Sequence, residues 1–219
     1  MSKSNKYGYS GVDIPTQAAF DNVGKFDPAE INELVQEDKW TTFGQLEFIN
    51  TYTADGSSSA MYLTNIKSDI YSVHLLMSHA MYNGSNTRIN GRLSSDNGSS
   101  YISTSNYYRA MMYRNTLNND NGISKNNAGS RWDYFIGSDN DNSGQTGGQL
   151  SYFYNLGDSA RYSYYTSYHM VNNSNNNSQY YGFGGGMLRE TGQHNAIYLY
   201  TQTGANMTGT FDLYGIKGY

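Results

Sequence analysis

After Pro28 the chain contains no further proline, and from Gln45 onward it never sustains the i, i+3, i+4 apolar spacing of a helix. Short alternating or continuous apolar runs follow one another instead, with a turn signal about every 10 to 15 residues. The pattern predicts strands over 45–53, 59–66, 70–82, 88–94, 107–117, 131–137, 149–156, 162–171, 179–188, 195–202 and 208–217. Asn83-Gly84 and Asn97-Gly98 follow two of these runs and supply the positive φ that tight turns demand. The run from Ile70 to Tyr82 is apolar on both alternating faces and reads as a central strand buried on two sides. Such a series describes an all-β chain, an antiparallel β-sandwich or jelly roll, and not a parallel sheet with crossover helices. The strands repeat no motif at fixed period, which argues against a propeller or a solenoid.

The segment before Trp40 has a different texture. It holds both prolines, Pro15 and Pro28, and seven of the 18 acidic residues in a chain of 219. Residues 1–26 show no sustained period and read as an extended arm. Asp27 then stands as an N-cap, Pro28 occupies the first helical position and Glu30 is placed to bond back. Ile31, Leu34 and Val35 follow at helical spacing, so one short amphipathic helix is expected over 27–39. The chain is accordingly divided into 1–40, a docking arm and short helix, and 41–219, a β-sandwich.

Composition narrows the chemistry. A net charge of −4 with scattered Lys and Arg offers no basic stripe for nucleic acid. Fifteen per cent aromatic residues exclude a disordered chain, and no apolar run approaches the ~20 residues that cross a bilayer. The start of the chain has no apolar stretch of the kind a signal peptide carries. With no cysteine, disulfides and thiolate chemistry are absent.

Catalytic signatures are sparse. His74 and His79 fall on opposite faces of one strand and cannot form two arms of a metal site. Most carboxylates sit in turn contexts such as Asp96-Asn97-Gly98, leaving no paired acids for glycoside hydrolysis. Neither a Gly-x-Ser-x-Gly elbow nor a Walker loop occurs. Gly182-Phe-Gly184-Gly185-Gly186 is flanked by strand texture and reads as tight packing or a bulge. The run Ser138–Gly144 resembles half a calcium loop, with Asp139 and Asp141 as weak ligand candidates, but Leu150 stands where a bidentate Glu is required. No enzyme activity, cofactor or metal is therefore expected.

Tyrosine, at 23 positions, is the abundant residue able to make contacts. Alternating Tyr suits strand faces and subunit packing, whereas exposed Tyr with Asn, Ser and Gly suits binding loops and sugar platforms. Tyr101, Tyr107, Tyr108, Tyr164, Tyr165 and Tyr168 are the candidate ligand contacts, in loops near 101–108 and 162–168.

Several stretches together resemble virion structural proteins of tailed bacteriophages, of the marine and cyanophage fibre or head-decoration kind. They are Ile14-Pro15-Thr16-Gln17, Asn22-Val23-Gly24-Lys25-Phe26-Asp27, Phe43-Gly44-Gln45-Leu46, Arg92-Leu93-Ser94-Ser95-Asp96-Asn97-Gly98-Ser99-Ser100-Tyr101 and Phe211-Asp212-Leu213-Tyr214-Gly215-Ile216-Lys217. The resemblance implies a non-enzymatic virion component, assembled in the host cytoplasm, whose partners are capsid, tail or fibre proteins and further copies of itself, a trimer being one option. Ile14, Phe26, Ile31, Leu34, Val35 and Trp40 are then the expected docking or self-association residues. The alternative expectation is a lectin-like adhesin that recognises a host-surface glycan.

Overall fold

In a computed structural model, the structure describes residues 46–82, 88–116, 121–136, 147–173 and 178–216, with Ala29, Asn32 and Glu33. The chain divides into two units between Phe43 and Gly44. Of the expected helix, those three isolated residues have helical backbone, and the rest lies outside the described residues.

Among the described residues of the second unit there are twelve strands: β1 Glu47–Asp55, β2 Ala60–Leu63, β3 Val73–Tyr82, β4 Ile89–Ser94, β5 Tyr107–Asn115, β6 Asn121–Gly129, β7 Trp132–Ile136, β8 Gly147–Tyr154, β9 Tyr162–Asn173, β10 Ser178–Thr191, β11 Ala196–Thr201 and β12 Thr208–Ile216. They form a large sheet in the order β1-β12-β3-β8-β9-β10-β5-β6 and a small one in the order β2-β11-β4-β7. Every pairing is antiparallel.

The order has a simple logic. Set aside the hairpins β5–β6 and β9–β10, and eight strands remain, with β1-β12-β3-β8 facing β2-β11-β4-β7. First pairs with last, second with second-last, and so on inward, which is the double Greek key of a jelly roll. The two hairpins then pair with each other through β10 and β5 and extend the large sheet beyond β8. The sandwich expected from the sequence is present.

Alternation explains the core. Leu63, Leu93, Ile197 and Leu199 of the small sheet meet Leu76, Phe153, Phe211 and Leu213 of the large one, all fully buried or nearly so. At its centre Trp132 stands edge-on to Tyr107, with ring centroids 5.2 Å apart, and lies 4.7 Å from Tyr165. Phe135 closes the cluster against Phe153 at 5.5 Å and Tyr165 at 4.9 Å. Aromatic pairs of this geometry are worth about 0.5–1.5 kcal/mol each beyond the area they bury. Gly186 on β10 is what lets the cluster close, because a Cβ there would stand 2.6 Å from the Tyr165 ring and 2.8 Å from that of Trp132.

Two expectations are corrected. The strand expected over 70–82 begins only at Val73, and it is buried on both faces only at its start: His74, Leu75 and Leu76 are buried, whereas beyond them Ser78 points inward and Met77 and His79 are exposed. Strand β6 has no counterpart among the expected strands. Its sequence, NGISKNNAG, holds one large apolar side chain, and pairing with β5 along its length supplies the order that propensity does not.

Candidate functional site

The large sheet packs its inner face on the core and turns the other face outward. Register places one residue from each of six neighbouring strands in a single cross-strand row: Met77, Leu150, Tyr168, Phe183, Met112 and Ile123. At about 4.7–4.9 Å between strands the row is roughly 24 Å long. All six are exposed, from 38% at Met77 to 72% at Ile123. Tyr168 and Phe183 occupy its middle, with near-parallel rings 6.5 Å apart.

Further large side chains flank the row. Met170 and Tyr181 pair across β9 and β10 on one side and are about half exposed. On the other side Tyr164 stacks on Tyr154 with centroids 4.6 Å apart. Between Tyr164 and the row, Thr166, Gly185 and Ala110 lie in register and make a low strip. A trough of about 470 Å³ there is lined by Ala110, Lys125, Gly185 and Met187. Tyr108 borders the same trough and receives the Arg189 guanidinium, whose Nη1 donates to its hydroxyl at 3.1 Å.

The small sheet carries a second aromatic cluster on its outer face. Tyr62, Tyr198 and Arg92 are in register across β2, β11 and β4. Tyr198 stacks on Tyr62 at 4.5 Å and on Tyr101 at 4.7 Å, and Tyr200 lies against it at 4.9 Å. The Arg92 guanidinium lies 4.4 Å from the Tyr101 ring centre and 5.1 Å from that of Tyr200, anchored by donation from Nε to the Ser130 carbonyl at 3.0 Å. Burial raises the phenol pKa of Tyr62, Tyr198 and Tyr200. These rings stack mainly on one another, so the cluster turns phenol edges outward more than open ring faces.

The turn 94–100 explains how Tyr101 reaches this cluster. Asn97 and Gly98 both have positive φ, 54° and 90°. Asp96 accepts from the Ser100 hydroxyl at 2.5 Å, the Ser100 amide at 2.9 Å and the Ser94 hydroxyl at 2.7 Å. These bonds, those of Ser100 first, hold the Asp96 carboxyl down at about 2. Asn97 is pinned on both sides, its side-chain oxygen accepting from the Asn65 amide at 2.9 Å and its own amide donating to Asn195 at 2.8 Å.

The expected contact residues therefore fall into different places. Tyr164 and Tyr168 share the large outer face, with Tyr108 beside its trough, and Tyr101 belongs to the small-sheet cluster. Tyr107 and Tyr165 are fully buried and are corrected from ligand contacts to core residues. The Tyr107 hydroxyl accepts from the Leu93 amide at 3.0 Å and donates to the Ile102 carbonyl at 3.1 Å, bonding the small sheet to the chain that leaves it. Burial pushes both phenols well above their usual range. Residues 162–168 lie in strand β9 and not in a loop. The docking candidates Ile14, Phe26, Ile31, Leu34, Val35 and Trp40, and the calcium candidates Asp139 and Asp141, lie outside the described residues.

Sequence reading misses Met77, Met112, Ile123, Leu150 and Phe183. Their signal exists only between strands, because nothing along a single strand says which of its outward residues register will line up with those of its neighbours. It also misses a buried serine–histidine contact, Ser163 Oγ to His194 Nδ1 at 2.7 Å. Ser163 Oγ also donates to the Asn155 carbonyl at 3.1 Å, and the His194 amide donates to Leu156 at 2.7 Å. The pair fastens the β8–β9 and β10–β11 connections to each other in the interior. Comparison with protein-family models, curated proteins and solved structures returned no match to this chain.

Proposed function

We propose that the protein is a non-enzymatic structural component of a bacteriophage particle, in which residues 1–40 attach it to capsid, tail or fibre and the jelly roll from residue 41 onward is displayed. The observation that carries this reading is the outer face of the large sheet. Six strands each commit one large apolar side chain to a continuous exposed row, and monomeric proteins keep a contiguous apolar surface of that kind for contact with another molecule. The role is contact, and the residues that perform it are Met77, Leu150, Tyr168, Phe183, Met112 and Ile123.

The likeness of the N-terminal segment and of the turn from Arg92 to Tyr101 to virion proteins supports the same reading, and the jelly roll adds to it by analogy of fold alone. The prolines and acids gathered before Trp40 suit a segment that gains affinity by ordering on a partner. The test is to produce phage carrying this gene with codons 1–40 deleted and to probe purified particles for the product. Loss of the truncated protein from particles, with the protein still made and folded, is the expected result. Truncated protein incorporated at the normal level overturns the anchoring role, and the absence of the full-length chain from particles overturns the assignment.

A further inference from the structure

We infer that the outer face of the large sheet is where two copies of this chain associate, face to face about a two-fold axis. Nine exposed side chains, Met77, Met112, Ile123, Leu150, Tyr164, Tyr168, Met170, Tyr181 and Phe183, stand on this one face. At their observed exposures, and taking roughly 200 Å² for a fully open large side chain, they present about 900 Å². A lone monomer's largest apolar patch runs to about 300–600 Å², whereas a standard interface takes about 800 Å² from each partner. The patch has the size of the second.

Its composition also fits a protein partner. Met, Tyr and Phe dominate, and no charged side chain stands in the six-residue row, which is the profile of an interface core. A sugar site would instead need hydrogen-bonding groups set among open rings, and aliphatic Ile123, Leu150 and the methionines offer none.

Self-complementarity selects a second copy as that partner. Read from β3 to β6, the row runs aliphatic, aliphatic, aromatic, aromatic, aliphatic, aliphatic, and read backwards it runs the same. A two-fold axis parallel to the strands between β9 and β10 therefore lays Met77 over Ile123, Leu150 over Met112 and Tyr168 over Phe183 of the second copy, like on like throughout. Sheets twist by about 20–25° per strand, so the two faces diverge toward their ends and the tight contact centres on β8, β9, β10 and β5.

The inference does not depend on the particle assignment, since association in solution is measured without phage. Sedimentation equilibrium of the full-length chain is the test. The mass expected is twice that of one chain, which is 24.5 kDa. Phe183→Lys and Met112→Lys each place a charge at the centre of the face, and each is expected to weaken association at least tenfold. Ile70→Lys, at an equally exposed position in a turn off this face, is expected to leave it unchanged. Far-UV circular dichroism establishes that each variant is folded, and either lysine variant alone suffices. A wild-type mass of one chain at about 100 μM, where even a weak interface of standard size is populated, overturns the proposal. A dimer that survives in the folded lysine variants overturns it too. Assembly past the dimer that these variants abolish has the same force, because a closed two-fold contact stops at two.

Discussion

Gly186→Ala should destabilise the sandwich, and the size of the loss measures how rigid the aromatic core is. A Cβ at this position would meet the Tyr165 ring at 2.6 Å, the Tyr108 carbonyl oxygen at 2.7 Å and the Trp132 ring at 2.8 Å. None of the three yields easily. Trp132 and Tyr165 are fully buried and held by Tyr107, Phe135 and Phe153, and the carbonyl belongs to the β5 ladder. Overpacking of this kind costs about 1–3 kcal/mol, and the lower entropy of the unfolded alanine chain returns about 0.4–1 kcal/mol. The expected net loss is about 1–2 kcal/mol, or roughly 2–8 °C in melting temperature for a chain of this size. Gly148→Ala is the matched control, because its Cβ would find the Ser78 carbonyl at an ordinary 3.5 Å. It should gain about 0.4–1 kcal/mol. Scanning calorimetry of the two variants beside the wild type decides the matter. If Gly186→Ala melts at or above the wild type, the core relaxes freely and the reasoning from close contact is wrong.

Acid should destabilise the fold through its histidines. Burial holds His74, His169 and His194 at about 4, against 6.5 in the unfolded chain, so the folded state keeps the neutral form. Their contribution is complete above about pH 6.5 and is lost as pH falls from there toward 4, while the unfolded chain takes up protons the folded one refuses, on the order of 3 kcal/mol per imidazole. Urea midpoints at pH 7, 5.5 and 4.5 should fall in that order, and a flat series refutes the assignment. Arg92→Ala should cost about 1–2 kcal/mol by removing the bond to Ser130 and the contacts over Tyr101 and Tyr200. Arg92→Lys keeps the charge but not the planar guanidinium, so it should recover less than half of that loss; full recovery in urea titration would sink the stacking argument.

Where the signal is local, it is legible. Alternation within single runs locates every described strand but β6, and Asn97-Gly98 announces a turn whose two residues do adopt positive φ. Adjacent alternation also separates His74 from His79, the first buried with its Nε2 2.9 Å from the Ile66 carbonyl, the second exposed beside Asp212. What stays hidden depends on partners distant in sequence. Tyr107 and Tyr165 look no different from Tyr101 or Tyr164 until pairing turns them toward Trp132. The outer row cannot be seen along the chain at all, because its six members are scattered from residue 77 to residue 183 and join only through register.

The interleaving of the two hairpins has a consequence for how the protein is made. Strand β5 ends at Asn115 and its partner β10 begins only at Ser178, so β5 and β6 leave the ribosome well before the strand that joins them to the sheet. At about 5–20 residues per second, synthesis of the chain between them takes roughly 3–13 s. For that time the hairpin waits with Tyr107 and Met111, both buried in the finished fold, uncovered. β1 waits longer still, since its partner β12 is the last of the described strands. The sandwich therefore closes only once β12 has been made, and its fate in the cell turns on whether nascent chains are kept apart until then.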